Sequence, residues 1–415
     1  MMEVIEGKVY LDGNIVNASI GIENGKIVKI AKNILGERGY AIEEGTIFPS
    51  MVDIHVHMRE PGFVWKEDFE SGTLSALHGG VSFVLDMPNT KPPVNSMENF
   101  NFKYKSISKK SYVDFGIAYL LHEKLNREIE KDITAFKIYM SETTEIKPVN
   151  YLLIPEIVKD IRKHITVHAE FQECIENSKI DDNSLIKHDI SRPETCELRA
   201  IRYLGEIGER KFHIAHISSP DSVELSKIFN FTVEVTPHHL FLNNEMDLGA
   251  FGKVNPPLRS PYVSNELRKM LGNGLIDVVA SDHSPHTIEE KSDFSTAPSG
   301  LPGVETSLPL LFQAYKDGIL QLQTLTNVAM ENPAKLLGIP KGKIAVGNDA
   351  DFVVIKLSDS KKITAKNLHY KCGWTPFENF WGIFPRKVFI RGVLAIDNFE
   401  ENLEAGFGIY YPINR

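Results

Sequence analysis

Residues 47–59 read IFPSMVDIHVHMR, a short apolar run that ends in two histidines and an arginine. The apolar part predicts a β-strand, and because side chains alternate along a strand, His55 and His57 point to the same side. Two imidazoles on one side can bind one metal ion, and Arg59 offers a planar guanidinium to a carboxylate. Taken alone, the pattern also fits two strand histidines without a ligand role, so the interpretation depends on further ligands elsewhere in the chain.

The middle of the chain alternates between short apolar runs and amphipathic patterns. This alternation predicts an α/β protein built as a (β/α)8 barrel of the TIM type, in which eight parallel strands are each followed by a helix. An open, doubly wound parallel sheet is the alternative for the same pattern. The eight predicted strands cover residues 47–57, 81–87, 112–120, 135–140, 165–168, 212–216, 231–235 and 276–281.

Both ends of the chain have a different sequence pattern from the middle, with short predicted strands separated by turns. Asp12-Gly13 and Asn24-Gly25 are hairpin signals near the N-terminus, and Arg391-Gly392 marks a turn in the C-terminal stretch. We therefore predict that the two ends pair into one small β-sandwich domain. In this interpretation residues 1–48 and 346–415 form the β-sandwich, and residues 49–345 form the barrel.

The composition is that of an ordinary globular protein, with 415 residues, 42% hydrophobic and 24% charged, and a net charge of −9. A negative net charge argues against nucleic acid or an anionic membrane as a partner. The three cysteines are far apart, and their odd number predicts no disulfide framework. No apolar run approaches the roughly 18 residues of a membrane span, and the first residues do not resemble a signal peptide, so we expect a cytoplasmic protein.

The residues suited to chemistry follow the predicted strands, as a barrel requires, because barrel active sites lie at the C-terminal ends of the strands. Histidine together with aspartate suits zinc. The candidate ligands are His55, His57, His168, His216 and Asp282. This set exceeds the roughly three protein ligands of a single catalytic zinc, so two metal ions fit better.

A pair of metal ions needs an anionic bridge, and no Asp or Glu lies inside the fourth predicted strand. Lys137 lies there instead, among apolar neighbours where a buried ammonium would be costly. A deprotonated lysine can react with CO2 to form a carbamate, which is an anionic bridge with two oxygens. The alternative is a lysine that extends to the mouth of the barrel and stays charged.

Several long motifs resemble those of the dihydroorotases within the amidohydrolase superfamily, over residues 47–345. The principal motifs are HVHMREPG at 55–62, DMPNTKPP at 86–93 and SDHSPHT at 281–287. Further matches are VHAE at 167–170, HIAH at 213–216, TPHHLFL at 236–242 and NPPLR at 255–259. The resemblance implies an enzyme with a (β/α)8 barrel that hydrolyses and forms the amide bond of a cyclic substrate.

The resemblance also implies two zinc ions per chain. The more buried ion would be held by His55, His57 and Asp282, and the more exposed one by His168 and His216. Lys137, as an N6-carboxylated lysine, would bridge the two ions, because the surrounding FKIY sequence at 136–139 is similar to that of the lysine-bridged dihydroorotases.

The implied reaction is the reversible cyclisation of N-carbamoyl-L-aspartate to L-dihydroorotate in pyrimidine biosynthesis. We expect a hydroxide between the metal ions to attack the ring amide, while Asp282 accepts the hydroxide proton and delivers it to the leaving ring nitrogen. The candidates for binding the substrate carboxylate are Arg59, Asn89 and His286. The resemblance adds Asn255 and the Ser299-Gly300 backbone as ring contacts, and Thr143 on a loop that folds over the substrate.

Allantoinases, hydantoinases and dihydropyrimidinases share the barrel and the metal site, so the metal ligands do not distinguish these alternatives. Arg59 and Asn89 favour an acid substrate, because a neutral hydantoin brings no carboxylate to a buried arginine. A non-catalytic scaffold for aspartate transcarbamoylase is a third alternative, but such a chain should lack some of the ligands, and all are present. The resemblance further implies a homodimer, compatible with transcarbamoylase association, and leaves Glu234 and His239 as either extra metal ligands or structural residues.

Overall fold

The computed structural model describes residues 2–123, 127–144, 146–208 and 211–412, and its centre is a sheet of eight parallel strands paired in chain order. The first and eighth strands meet where His57 N donates to His283 O over 2.7 Å, beside a parallel bridge between Val56 and His283. The predicted (β/α)8 barrel is therefore confirmed, and the open-sheet alternative is wrong. The barrel strands are Met51–Val56, Val81–Asp86, Asp114–Leu120, Ala135–Tyr139, Ile165–His168, His213–Ile214, Thr232–Val235 and Val278–Val279.

The strand that carries His55 is shorter than predicted. The sequence predicts one strand over residues 47–57, but the chain forms two, Thr46–Pro49 and Met51–Val56. The first piece pairs antiparallel with Phe352–Ile355 outside the barrel, whereas the second pairs in parallel with the next barrel strand. Both pieces are almost wholly buried, so one continuous apolar run conceals the change of sheet.

Strands from both chain ends form one nine-stranded sheet, called the end sheet below. Its strands are Glu3–Leu11, Asn14–Glu23, Lys26–Ala31, Glu37–Ala41, Thr46–Pro49, Phe352–Ile355, Lys387–Ile390, Val393–Asp397 and Glu400–Glu401. It has its own apolar cluster, which includes Ile20 and Phe352. The pairing of the two ends into a small β-domain is confirmed, while its limits at residues 48 and 346 remain predictions.

The helices between the strands begin at residues typical of helix N-caps. The side chains of Asp68, Ser96 and Ser219 each accept a hydrogen bond from the backbone N–H three residues later. The α-helices are Phe69–His78, Met97–Ile107, Ile154–Val158, Gln172–Ser178, Leu185–Ser191, Glu194–Glu206, Pro220–Ile228, Pro237–Phe241, Pro261–Gly272, Ser307–Lys316, Leu322–Thr326 and Asn332–Leu337. Among the described residues, no helix combines the length and the apolar character needed to cross a membrane.

A disulfide joins Cys174 to Cys196, with the two Cα atoms 5.4 Å apart. The expectation that the cysteines form no disulfide is therefore wrong. An odd count of three still leaves one pair and one free thiol, which here is the buried Cys372. Helices Gln172–Ser178 and Glu194–Glu206 pack side by side, so a separation of 22 residues in sequence becomes a short distance in space.

Candidate active site

A cavity of about 310 Å³ opens at the C-terminal ends of the barrel strands. The predicted site residues that line it are His55, His57, Arg59, Asn89, His168, His216, Asn255, Asp282, Ser299 and Gly300. Lys137 and His286 lie behind the wall, where Lys137 contacts His55 and His286 contacts Arg59. The fold thus brings together residues that are more than 200 positions apart in sequence, such as His55 and Asp282.

Asp282 lies beside the two histidines of the first barrel strand. Its Oδ1 is 3.4 Å from His55 Nε2 and 3.1 Å from His57 Nε2. Burial favours the neutral acid, but His55 and His57 outweigh it and hold the pKa of Asp282 below its ordinary range. Burial also lowers the pKa of His57 to about 4, so its imidazole is neutral at pH 7 and can offer a lone pair.

Two acceptors behind these histidines fix which ring nitrogen carries the proton. His55 Nδ1 is 2.7 Å from Glu234 Oε1, and His57 Nδ1 is 2.6 Å from Asn89 Oδ1. Because both oxygens accept, each Nδ1 donates, and the lone pair is left on Nε2, which faces Asp282. Partners of this kind orient histidines that bind metals, since they set the tautomer and the ring plane.

His168 and His216 form a second pair at the ends of the fifth and sixth strands. His168 Nδ1 is 2.9 Å from His216 Nε2, and the other nitrogen of His168, Nε2, lies 2.9 Å from Glu170 Oε2. Arg192 Nη2 donates to the same Glu170 oxygen over 2.6 Å. Burial opposes the charge of Glu170, but Arg192 and His168 hold the pKa of this carboxyl well below its usual range. An ionised Glu170 accepts from His168 Nε2, so the lone pair of His168 is on Nδ1, toward His216.

Lys137 lies beneath the histidines with no exposed surface. Its Nζ is 3.2 Å from His55 Nε2 and 5.3 Å from the centre of the Tyr139 ring. The side chain therefore does not extend to solvent at the mouth of the barrel. Burial lowers the pKa of Lys137 to about 8, which increases the fraction of neutral amine at neutral pH.

The donor set fits a divalent metal ion. The ligand atoms of His55, His57 and Asp282 all lie within 4.8 Å of one another. Neutral imidazoles with oriented lone pairs, together with an ionised carboxylate, form the nitrogen and oxygen set that suits zinc. His168 and His216 add two further nitrogens at the same end of the barrel.

A second acidic group has similar spacing but already holds a cation. The group consists of Asp114, Asp349 and Asp351. The Lys341 ammonium lies 2.7 Å from Asp114 Oδ2, 3.0 Å from Asp349 Oδ2 and 2.5 Å from Asp351 Oδ2. Lys341 pairs with all three carboxylates, while Arg391 also pairs with Asp114 and Lys26 with Asp349. Because three cations serve these three acids, we assign the group to the junction between the barrel and the end sheet and not to a metal.

Arg59 lies at the wall of the cavity and is only 3% exposed. Its Nε donates to Pro285 O over 3.0 Å, and its Nη2 lies 3.1 Å from His286 Nε2. Burial lowers the pKa of Arg59 to about 10, which leaves the guanidinium charged at neutral pH. Within the part of the chain that the structure describes, no carboxylate lies within ion-pair distance of Arg59. A buried cation at a cavity wall without an acidic partner can receive an anion from the cavity.

Asn89 and His286 are predicted to bind the substrate carboxylate directly, but in the structure both side chains contact other residues of the protein. Asn89 reaches the cavity wall, but its Oδ1 is engaged by His57. His286 lies between two cations, with Nε2 near Arg59 and Nδ1 3.0 Å from Lys66 Nζ. The geometry gives His286 the position of a residue that holds Arg59.

The far wall of the cavity consists of two loops that contain Asn255 and Ser299-Gly300. Asn255 Oδ1 is 2.9 Å from His188 Nε2, and Ser299 O is 3.2 Å from His286 Nε2. Gly300 has φ of 147°, and an added Cβ would lie 2.4 Å from Ser284 O, so only glycine fits here. Thr143 also lines the cavity, in the loop where the sequence predicts a substrate contact.

Several residues of the site were not predicted or were left open. Glu170 follows His168 by two residues and therefore points to the same side, a signal that the alternation of strand side chains provides. Glu234 contacts His55 and also His213, whose Nε2 is 3.1 Å from Glu234 Oε2. His239 instead contacts Thr236 Oγ1 at 2.8 Å and Pro256 O at 3.1 Å. These separate partners favour the structural role for Glu234 and His239 over an extra metal.

Comparison with known proteins assigns the class that this barrel and site define. The model of the amidohydrolase family matches residues 46–394. Among solved structures, the L-hydantoinase (dihydropyrimidinase) from Arthrobacter aurescens has a TM-score of 0.93 and 28% identity, with 99% of each chain covered. The protein is thus a metal-dependent barrel hydrolase, and it belongs to the amidohydrolase family.

Within the amidohydrolase family, the relatives with higher sequence identity are dihydroorotases. A dihydroorotase from Thermoplasma acidophilum is 36% identical over 414 residues, covering 99% of this chain and 98% of the relative. A dihydroorotase from Methanosarcina acetivorans is 39% identical over 422 residues, covering 93% of this chain and 90% of the relative. The resemblance to dihydroorotases that the sequence motifs indicate is therefore confirmed.

Proposed function

We propose that this protein is a dihydroorotase, which interconverts N-carbamoyl-L-aspartate and L-dihydroorotate in pyrimidine biosynthesis. The observation that carries the proposal is Arg59, a buried guanidinium at the cavity wall without an acidic partner among the described residues. L-dihydroorotate carries the carboxylate that such a group requires, next to the ring amide that is cleaved or closed. The relatives from T. acidophilum and M. acetivorans support the same substrate.

A second candidate is a cyclic amidase for neutral rings, because the A. aurescens hydantoinase has the same fold over the whole chain. The barrel and the histidines would serve such an enzyme equally well. A neutral ring, however, would leave the Arg59 charge buried and unmatched, which costs several kcal/mol in typical cases. We therefore favour the acid substrate.

We further propose that two zinc ions occupy the site. The residues that would hold them are His55, His57, His168, His216, Asp282 and a carboxylated Lys137 as the bridge. The converging lone pairs and the buried, partly neutral amine support this assignment. When bound, the ions supply a Lewis acid for the amide carbonyl and lower the pKa of water toward about 7.

The chain's own residues bind the substrate and move its protons. Arg59 binds the carboxylate, and His286 and Pro285 hold the guanidinium in place. Asn255 and the Ser299-Gly300 backbone form the wall against the ring. Asp282 takes a proton at its carboxylate from the attacking water and returns it to the ring nitrogen that leaves. The low pKa of Asp282 keeps the carboxylate ready to accept that proton at neutral pH.

We also propose the kind of substrate, the location in the cell, the oligomeric state and a partner protein. A small-molecule substrate follows from the cavity of about 310 Å³ and from the proposed reaction. The cytoplasm as location is supported by the composition, and a homodimer by the family resemblance. Association with aspartate transcarbamoylase has the resemblance alone as its support.

The test compares turnover of L-dihydroorotate, hydantoin and allantoin by the wild-type protein loaded with zinc. We expect L-dihydroorotate to be the best substrate, and Arg59→Met to lower its kcat/KM by about 100-fold, because a charge-assisted bond is lost. Arg268→Met is the matched control, because Arg268 donates to the Leu240 carbonyl away from the cavity. Faster wild-type turnover of either neutral ring would refute the proposal.

A further inference from the structure

Lys291 has a buried ammonium that no step of the proposed reaction uses. The side chain lies in the loop region after the eighth barrel strand and is 1% exposed. Its Nζ donates to three backbone carbonyls, those of Lys253 at 3.0 Å, Pro298 at 2.9 Å and Gly300 at 3.2 Å. An ammonium has three N–H donors, so these carbonyls satisfy it completely.

The three carbonyls belong to the two loops that form the far wall of the cavity. One loop continues from Lys253 into Asn255, and the other contains Pro298 and Gly300. Gly300 N also donates to Lys253 O over 3.0 Å, so the two loops meet at the carbonyl that Lys291 binds. The Lys291 ammonium therefore joins the two loops of this wall at the point where they meet.

The Lys291 ammonium forms no ion pair with any described residue. Within the described parts of the chain, no carboxylate lies within ion-pair distance of its Nζ, and its nearest aromatic partner is Trp374, with 5.8 Å from Nζ to the ring centre. The neighbouring Glu290 pairs with Lys66 at 3.0 Å instead. Lys291 and Arg59 are thus two buried basic side chains, and among the described residues neither has a carboxylate within ion-pair distance. One histidine connects them, because His286 Nε2 contacts both Arg59 and Ser299 O, in the loop that Lys291 binds. Burial lowers the pKa of Lys291 to about 7, so an anion in the cavity would favour its charged form.

Buried charges without counter-ions are costly, and proteins compensate them with dipoles or with a ligand of opposite charge. The three carbonyl dipoles compensate Lys291 only in part, because a full negative charge is missing. An anion in the cavity would supply it through space, without direct contact with Lys291. The effect is strong in a shielded cavity, where Coulomb interactions are weakly screened.

We propose that Lys291 is a positioning and specificity-determining residue, which holds the far wall of the cavity and makes the site select anionic over neutral ring amides. This inference rests on the proposed function, because it takes the carboxylate of L-dihydroorotate as the anion. It adds a second cation to the recognition of that group, behind the loop that His286 connects to Arg59.

The experiment compares two ligands that differ only in charge, L-dihydroorotate and its carboxamide, on the zinc-loaded full chain. The KM for L-dihydroorotate is measured directly, and the carboxamide is measured as a competitive inhibitor. For Lys291→Met we expect a KM about tenfold higher, while the inhibition constant of the uncharged carboxamide changes by less than about threefold. The ratio between the two effects is a readout that a merely structural role would not move.

Lys163→Met is the matched control, because Lys163 is also buried and donates to a backbone carbonyl, that of Ile133, away from the cavity. We expect it to leave both constants unchanged. Lys291→Gln, which keeps two N–H donors without the charge, gives the same test should the methionine variant fail to fold.

The outcomes separate the two proposals. Equal weakening of both ligands by Lys291→Met, or no weakening of either, would overturn Lys291 as the source of the preference for anions, while wild-type turnover of L-dihydroorotate still supports the proposed function. A wild-type protein that turns over neutral rings faster than L-dihydroorotate would overturn the proposed function itself, whatever the variants do.

Discussion

Asn89 accepts a hydrogen bond from His57, with Oδ1 and Nδ1 2.6 Å apart, and thereby turns the free lone pair of His57 toward Asp282. The sequence suggested a different task for Asn89, a contact with the substrate carboxylate. The same side chain lines the cavity, but its oxygen is committed to the histidine. Its effect on the reaction should therefore pass through the metal site.

Replacing Asn89 by alanine should weaken metal binding about 10–100-fold, because His57 loses the acceptor that fixes its tautomer. Competition with a chelator measures this affinity. Asn95→Ala is the control, since Asn95 lies in the same loop but contacts Asn99. Unchanged metal affinity together with a raised KM would show that Asn89 serves the substrate instead.

Asp282→Asn should lower kcat by roughly 10²–10⁴-fold, because the amide cannot accept the proton that the reaction moves. The substitution preserves shape, so circular dichroism and the thermal midpoint should show an intact fold. The metal content of the variant, measured in parallel, separates loss of the proton acceptor from loss of a ligand. A variant with wild-type kcat would exclude Asp282 as the acceptor.

Removal of the disulfide should destabilise the protein without preventing folding. Cys174 and Cys196 are separated by 22 positions in the sequence, and closing a loop of this length corresponds to about 3 kcal/mol of unfolding free energy in the chain-entropy model. We expect C174A/C196A to unfold at lower denaturant concentration by that amount, and a dithiol reductant to have the same effect on the wild type. Cys372→Ala serves as the control for loss of a buried thiol. Identical unfolding curves with and without reductant would contradict the bond's contribution.

Glu67 should make stability depend on pH. Burial raises the pKa of Glu67 to about 8, whereas in the unfolded chain it returns to its ordinary value of 4.5. Because the folded protein holds the proton of Glu67 more tightly than the unfolded chain does, protonated Glu67 stabilises the fold. This contribution is complete below pH 4.5 and is lost as the pH rises through about 8.

Between pH 6 and pH 9, Glu67→Gln should therefore gain up to about 3 kcal/mol relative to the wild type, because glutamine stays neutral throughout. Denaturant unfolding at the two pH values measures the difference. Glu70→Gln is the control, because Glu70 is exposed in helix Phe69–His78, which begins two residues after Glu67. A constant gap between Glu67→Gln and the wild type would contradict the raised pKa.

The barrel could be predicted because each strand is a buried apolar run followed by a helical pattern. The residues at the strand ends, from His55 to Asp282, could be predicted for the same reason, since the fold gathers those ends in one place. The break after Pro49 could not, because a strand buried in either sheet has the same composition.

The contacts that hold loops and helices together could not be predicted from the sequence, for a different reason. The contacts of Lys291 with three carbonyls and of Cys174 with Cys196 join segments whose proximity depends on how loops and helices pack. No local periodicity encodes such contacts. Glu170 is the exception, because its spacing from His168 already places both on one side of the chain.

The junction around Lys341 has a consequence for behaviour at high temperature. Asp114 starts the third barrel strand, and Asp351 precedes a strand of the end sheet, so the lysine that they share connects the barrel to the end sheet. The penalty for keeping charged groups away from water shrinks on heating, whereas apolar contacts gain little. The ion pairs around Lys341 should thus be among the last contacts of the molecule to break as the temperature rises.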